Sequence, residues 1–267
     1  MMTLGTTGAF GFEDFHPPEV LGLYARAGCR IVQVYRNRLR NISARDVRAL
    51  MPDEPLTIDS IHGVFGDDID PSSEDESHRR RSVDLYRAEA EFCRELGGDL
   101  VVVHPSPARA PVGSLETKYV QLRRSFDEFQ RMGDEFRVRF AFENMPPYHP
   151  IGNDPVRLAR EVAGAAMPRV VFLIDTGHAH MTGRAGEAVR AAGSTIAYTH
   201  VHDNDGAVDS HRLPYRGTLP WDDLGDALRE VRYKGVFLLE VFESAADLRK
   251  LLNDEWSGRM AKVLQPG

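Results

Sequence analysis

Short apolar runs rich in Val, Ile, Leu and Phe recur along the 267-residue chain. Between them lie longer stretches in which apolar positions return every three or four residues. The first pattern is that of strands covered on both faces, the second that of helices with one buried stripe. Strands are predicted over 3–8, 30–36, 56–63, 99–105, 137–144, 169–175, 195–203 and 235–242. Helices are predicted over 17–28, 43–51, 78–96, 115–132, 154–166, 186–192, 222–231 and 245–264. Ser43 supplies a side-chain acceptor at the start of the second helix, and Gly97 and Gly98 end the third.

Strict alternation of strand and helix predicts a parallel sheet. Eight strands favour closure over an open doubly wound sheet, so the expected fold is α/β, a (β/α)8 TIM barrel, in one domain spanning 1–267. No GxGxxG follows the first strand and no GxxxxGK[ST] occurs, which removes the usual signatures of dinucleotide and P-loop nucleotide binding. Apolar (42%) and charged (27%) fractions are those of an ordinary globular protein. The net charge of −7 argues against a surface built to neutralise many phosphates, so nucleic acid is not expected as a partner. Cys29 and Cys93 lack metal-type spacing and are expected as buried free thiols. The N-terminal MMTLGTTGAF lacks a basic segment followed by a long apolar one, and no apolar run reaches membrane-spanning length, so a cytoplasmic protein is expected.

The chemistry sits where the later apolar runs stop. His62, His104, Glu143, Asp175, His200 and Glu240 fall at the ends of strands three to eight, and in a (β/α)8 enzyme those ends converge on the working mouth. Strand alternation puts His202 on the same face as His200. His178 follows Asp175 by three residues, and Asp209 and His211 sit in the seventh loop, placed to fold over the opening. Several acids buried together require neutralisation, and a divalent cation held by Asp, Glu and His provides it. A glutamate after FAF, an aspartate in FLIDTGH and a glutamate in FLLEVF are hard to explain otherwise. His104 before Pro105, taken alone, reads as a satisfied strand-end histidine. His16, His149 and His180 read as ordinary loop histidines, the HRRR run (78–81) as a solvated helix face, and Trp221 as packing beneath the seventh loop.

These segments, IHG (61–63), VVVHPSP (101–107), FENMP (142–146), IDTGHA (174–179), HVHDNDG (200–206), DSH (209–211) and LLEVF (238–242), resemble the xylose isomerase-like TIM-barrel superfamily. That grouping includes sugar isomerases, ketose 3-epimerases and the endonuclease IV (AP endonuclease family 2) enzymes. The resemblance implies metal ligands at Glu143, Asp175, His200 and Glu240 and a substrate-contacting histidine at His178. It also implies a metal-dependent isomerase or epimerase of a small sugar or sugar phosphate, with Glu143 and Glu240 moving the proton through a metal-stabilised enediolate. Further substrate contacts are expected from His62, His104, His202 and Arg216, the last a forked donor for a phosphate or carboxylate.

The endonuclease IV branch implies an alternative, a two- or three-metal phosphoesterase. It would recruit His62, His104, His178, Asp209 and His211 as additional ligands. Against it, ENMPPYHP stands where that branch has an ENTAGQG-like sequence. The cation is expected to be Mn, Mg or Zn, and more than one ion is consistent with the donor count. Helices on the outside of the barrel leave room for a homo-oligomer.

Overall fold

The structure, a computed structural model, describes residues 1–109 and 113–265. Eight parallel strands form a closed barrel in sequence order: β1 Thr3–Phe10, β2 Ile31–Arg36, β3 Thr57–His62, β4 Leu100–Val103, β5 Arg139–Glu143, β6 Val170–Asp175, β7 Ile196–Val201 and β8 Val236–Leu239. β8 pairs back onto β1 through Thr3↔Val236 to Thr6↔Leu239, which closes the ring.

Strand alternation then sorts the side chains into two shells. Leu100, Val102, Ala141, Leu173, Tyr198 and Leu238 form a separate buried cluster that fills the barrel interior. The far larger cluster, with Val101, Val103, Phe140, Phe142 and Phe172, packs between barrel and helices. Two residues beyond the last interior position of five strands comes an ionisable one: Val102 leads to His104, Ala141 to Glu143, Leu173 to Asp175, Tyr198 to His200 and Leu238 to Glu240. The period of two thus builds an apolar plug and crowns it with ionisable groups.

The outer layer comprises α1 Pro17–Arg26, α2 Ala44–Ala49, α3 Glu76–Leu96, α4 Leu115–Phe136, α5 Pro155–Ala165, α6 Thr176–Met181, α7 Ala185–Ala192, α8 Trp221–Glu230, α9 Ala245–Leu251 and α10 Asp254–Leu264. Ser43 caps α2 in a reciprocal capping box with Asp46, and Gly97 ends α3 in the left-handed conformation, as expected.

Three features depart from the expectation. The short α6 begins directly at the end of β6, where Thr, Gly and two His offer poor helix propensity; Asp175 starts it by accepting the His178 N–H. The stretch 245–264 is two helices, because Asn253 leaves the helical conformation and caps α10 through its side chain. Within HRRR, Arg79 is buried and pairs with Glu76 and with Glu128 of α4, so only its neighbours form a solvated face.

Cys29 and Cys93 are buried free thiols. Among the described residues no helix is long and apolar enough to cross a membrane.

Since Leu173 is fully buried in the plug directly beneath Asp175, Leu173→Ala is expected to cost roughly 2–5 kcal/mol. Its denaturant midpoint, compared with wild type, checks this.

Candidate metal centre

Glu143, Asp175, His200 and Glu240 offer donor atoms that all lie within 4.8 Å of one another, and all four residues are buried. His200 Nδ1 sits between the two glutamates, 3.0 Å from Glu143 Oε1 and 3.1 Å from Glu240 Oε2. Two further groups adjoin this quartet. His62 and His104 approach the other oxygen of Glu143, at 3.9 and 3.3 Å. His178, His202, Asp209 and His211 form a third group, with Asp209 3.2 Å from His178 Nε2 and 3.3 Å from His211 Nε2.

Each position has a local cause. β5 and β6 are held in register by Asn144, whose side-chain amide donates to the Asp175 carbonyl and whose Oδ1 accepts the Asp175 N–H. Asp175 in turn starts α6, and the first turn of that helix carries His178 inward. Gly177 must be glycine: a Cβ there would stand 2.1 Å from the His202 ring. The seventh loop returns through a two-bond antiparallel bridge between Asp203 and Arg212, which brings Asp209 and His211 over the mouth. Asp203 also accepts from the Trp221 indole and the Leu219 N–H, so Trp221 does pack beneath that loop.

The imidazoles are aimed from behind. His62 Nδ1 donates to the Gly63 carbonyl, His178 Nδ1 to that of Asn144 and His211 Nδ1 to that of Glu240, so each presents Nε2 to the centre. His200 is turned the other way: Nε2 donates to Gln33 Oε1 at 2.9 Å and Nδ1 faces the carboxylates.

Burial works against charge on His200, yet Glu240 and Glu143 outweigh it and hold its pKa well above the ordinary 6.5. The same contest raises His178 to about 10, through Asp175 and Asp209, and His211 to about 9, through Asp209 and Glu240. Burial would push Glu143 and Glu240 up, but His200 keeps both below the usual carboxylate range. His62, buried beside His104, is pushed down to about 4.

These residues fit a divalent cation. Glu143 Oε2, Asp175 Oδ2, Asp209 Oδ1 and both His202 nitrogens are buried without a hydrogen-bond partner among the described residues; Glu143 Oε2 lies near His104 but is not aligned for one. Such orphaned oxygens and nitrogens are costly in a protein interior and are the donor types that Mn, Mg or Zn takes.

The nine candidate ligands named from sequence therefore converge, and two substrate-contact assignments are corrected. His202 is fully buried, stacked on His211 at 4.0 Å between ring centroids; it does not line the cavity and belongs with the third donor group. Arg216 is exposed and outside the cavity lining, on the side of Asp247 in α9.

Sequence reasoning also missed wall residues. His149, read as an ordinary loop histidine, is buried with Nδ1 donating to the Ser106 carbonyl and lines the cavity. Tyr35, Phe65, Met145 and Phe242 line it as well. Tyr35 carried a weak signal, an aromatic residue near the end of an apolar strand.

The family description "xylose isomerase-like TIM barrel" matches residues 21–260. An uncharacterized protein of Methanocaldococcus jannaschii is 29% identical over 189 residues, 67% of this chain and 63% of that protein. The chain thus spans less than two thirds of the length of that relative. Among solved structures, a D-tagatose 3-epimerase-like protein superposes with a TM-score of 0.77 at 21% identity, over 98% of this chain and all of the other. An IolI protein with a bound zinc atom superposes with a TM-score of 0.78 at 18% identity, over 98% of each chain.

Coordination needs an unprotonated nitrogen, so a cation in the quartet would displace the proton that Glu143 and Glu240 hold on His200, and a cation in the third group those on His178 and His211. Calorimetry of Mn²⁺ uptake at pH 7 in buffers of differing ionisation enthalpy is expected to show proton release, with affinity rising towards pH 9. Without cation the sign reverses: the His178 and His211 pKa values are raised from 6.5, so these two groups stabilise the fold fully below about pH 6.5 and lose that contribution as the pH climbs through about 9 and about 10. Chelator-treated protein should therefore melt at progressively lower temperature across that window.

Proposed function

This chain belongs to the xylose isomerase-like TIM-barrel family, and on that premise we propose that it is a divalent-cation-dependent epimerase or isomerase of a small unphosphorylated sugar. The observation that carries this reading is a pair of buried glutamates, Glu143 and Glu240, flanking one imidazole nitrogen at the floor of a cavity of ≈ 360 Å³. That volume suits a small polyol. Its described lining includes no Lys or Arg, and the imidazoles there are already matched by Glu143, Asp209 and Glu240, so no forked or ammonium donor is set aside for a phosphate. Aromatic and thioether side chains of Tyr35, Phe65, Met145 and Phe242 provide apolar walls against the carbon skeleton.

Glu143, Asp175, His200 and Glu240 would hold the cation, which when bound supplies Lewis acidity beside a carbonyl and the neighbouring hydroxyl. The glutamates do the proton work: one removes the hydrogen on the carbon next to the carbonyl and the other returns it. His178 and His62, both at the cavity wall with Nε2 forward, orient the substrate hydroxyls. The likeness to a D-tagatose 3-epimerase-like protein supports this chemistry.

A second reading, hydrolysis of a phosphate ester by two or three cations, is favoured by one observation: three donor groups are present, two of them sharing Glu143.

Glu143→Gln and Glu240→Gln are each expected to cut turnover of a free ketose by roughly 10²–10⁴-fold while the circular dichroism spectrum stays unchanged. Exchange of substrate hydrogen with solvent deuterium reads the step directly, and near-normal exchange in both variants overturns the assignment. Elemental analysis separates the readings: one cation per chain accords with the epimerase, and two or three together with phosphate-ester cleavage accord with the hydrolase.

A further inference from the structure

His62, His178 and His211 are each aimed by a main-chain carbonyl, which no side-chain substitution removes. His200, at the centre of the buried quartet, is the exception: its outer nitrogen rests on a side chain, the amide of Gln33 from β2. Gln33, Ser60, Tyr198 and His200 are all buried, all but Tyr198 completely. A buried amide next to an imidazole fixes an orientation only if its own two ends are told apart, and here they are.

The distinction comes from deeper in the barrel. Ser60 Oγ donates to Asp59 Oδ1 at 2.6 Å, and the Tyr198 hydroxyl donates to the same carboxylate at 3.0 Å. With its one proton committed to Asp59, Ser60 Oγ is an acceptor, and the Gln33 amide nitrogen donates to it at 3.3 Å. The amide oxygen is then left pointing at His200, where it accepts the Nε2 proton. Nδ1 consequently faces Glu143 and Glu240, and the proton it shares with them in the cation-free protein is the one a cation would displace to reach its lone pair. Polarity passes in one direction from the Asp59 carboxylate, through serine and amide, to the imidazole.

We propose that Gln33 is the positioning residue of the centre: held by Ser60 and Asp59, it fixes His200 as the Nε2–H tautomer and so presents Nδ1 as the ligand. This rests on the cation reading above, and it assigns a role to β2, whose residues carry no family motif. Removing the acceptor frees the imidazole to rotate or to move its proton to Nδ1, which abolishes the lone pair where the cation needs it. Outer hydrogen bonds of this kind are worth roughly 10–100-fold in metal affinity.

The test compares wild type with Gln33→Leu, which removes the acceptor, and Gln33→Glu, which keeps an oxygen there; Gln33→Met serves if the leucine variant does not fold. Mn²⁺ alone is titrated into each by calorimetry, and Zn²⁺-loaded samples are read by nitrogen-15 NMR of the His200 ring. The expected result is a 10–100-fold weaker Mn²⁺ affinity in the leucine or methionine variant, with loss of the slowly exchanging Nε2–H signal. Gln33→Glu should recover affinity to within a few-fold, and in the leucine or methionine variant the free energy of lost affinity should exceed any loss of cation-free stability from the unpaired His200 N–H.

Equal Mn²⁺ affinity in wild type and Gln33→Leu, or a persistent Nε2–H in the leucine variant, overturns the positioning role alone. A lower affinity accompanied by an equal fall in cation-free stability assigns Gln33 to packing and also overturns it. A wild-type protein that takes up no Mn²⁺ overturns the cation reading and this proposal with it.

Discussion

Two glutamates and an aspartate buried within one small volume are the constraint on which the rest of the molecule turns. Carboxylates so close together repel, and burial strips them of water, so the fold is tenable only with positive charge among them. The chain supplies imidazoles at the ends of neighbouring strands, and His200 is wedged between Glu143 and Glu240. A cation in that position would take over the neutralising role. The same compensation that keeps the barrel mouth folded is therefore the one a Lewis-acid centre uses.

Barrel geometry makes this arrangement cheap in sequence. One polar residue two positions beyond an interior apolar one, repeated on adjacent strands, is enough to gather groups that lie far apart along the chain. The apolar plug of Leu100, Val102, Ala141, Leu173, Tyr198 and Leu238 keeps water out from beneath, so the electrostatics above it are strong. The plug is interrupted on one side by Gln33 and Ser60, and that interruption lets the Gln33 amide oxygen reach His200 from behind.

Much of this was legible beforehand, for reasons that vary by element. The later strands, β4 to β8, were legible because they are largely buried and read as dense apolar runs. By contrast, β1 (TLGTTGAF) and β3 (TIDSIH) are mixed in composition and stood out mainly by their place in the alternation with helices. Glu143, Asp175 and Glu240 were legible because an acid terminating such a run has few structural explanations. The helix α6 was hidden because its residues favour no helix, and only the tertiary placement of Asp175 starts it. Arg216 was misplaced because a loop's direction depends on ties such as the Asp203–Arg212 bridge, which spacing does not reveal. Gln33 escaped notice because a single amide in a strand says nothing until its neighbours across the barrel are known, and His149 because burial of a loop histidine depends on what packs over it.

The Asp203–Arg212 bridge separates the donors into two kinds. Glu143, Asp175, His200 and Glu240 sit on or at the ends of strands and cannot move without dismantling the barrel. Asp209 and His211 arrive on a loop closed by two main-chain hydrogen bonds. The architecture is thus a hard-wired core with a detachable accessory: rewriting the eight residues between Asp203 and Arg212 would remove two donors from the mouth while the load on the strands stays the same. A scaffold divided in this way can exchange one chemistry for another by editing its rim.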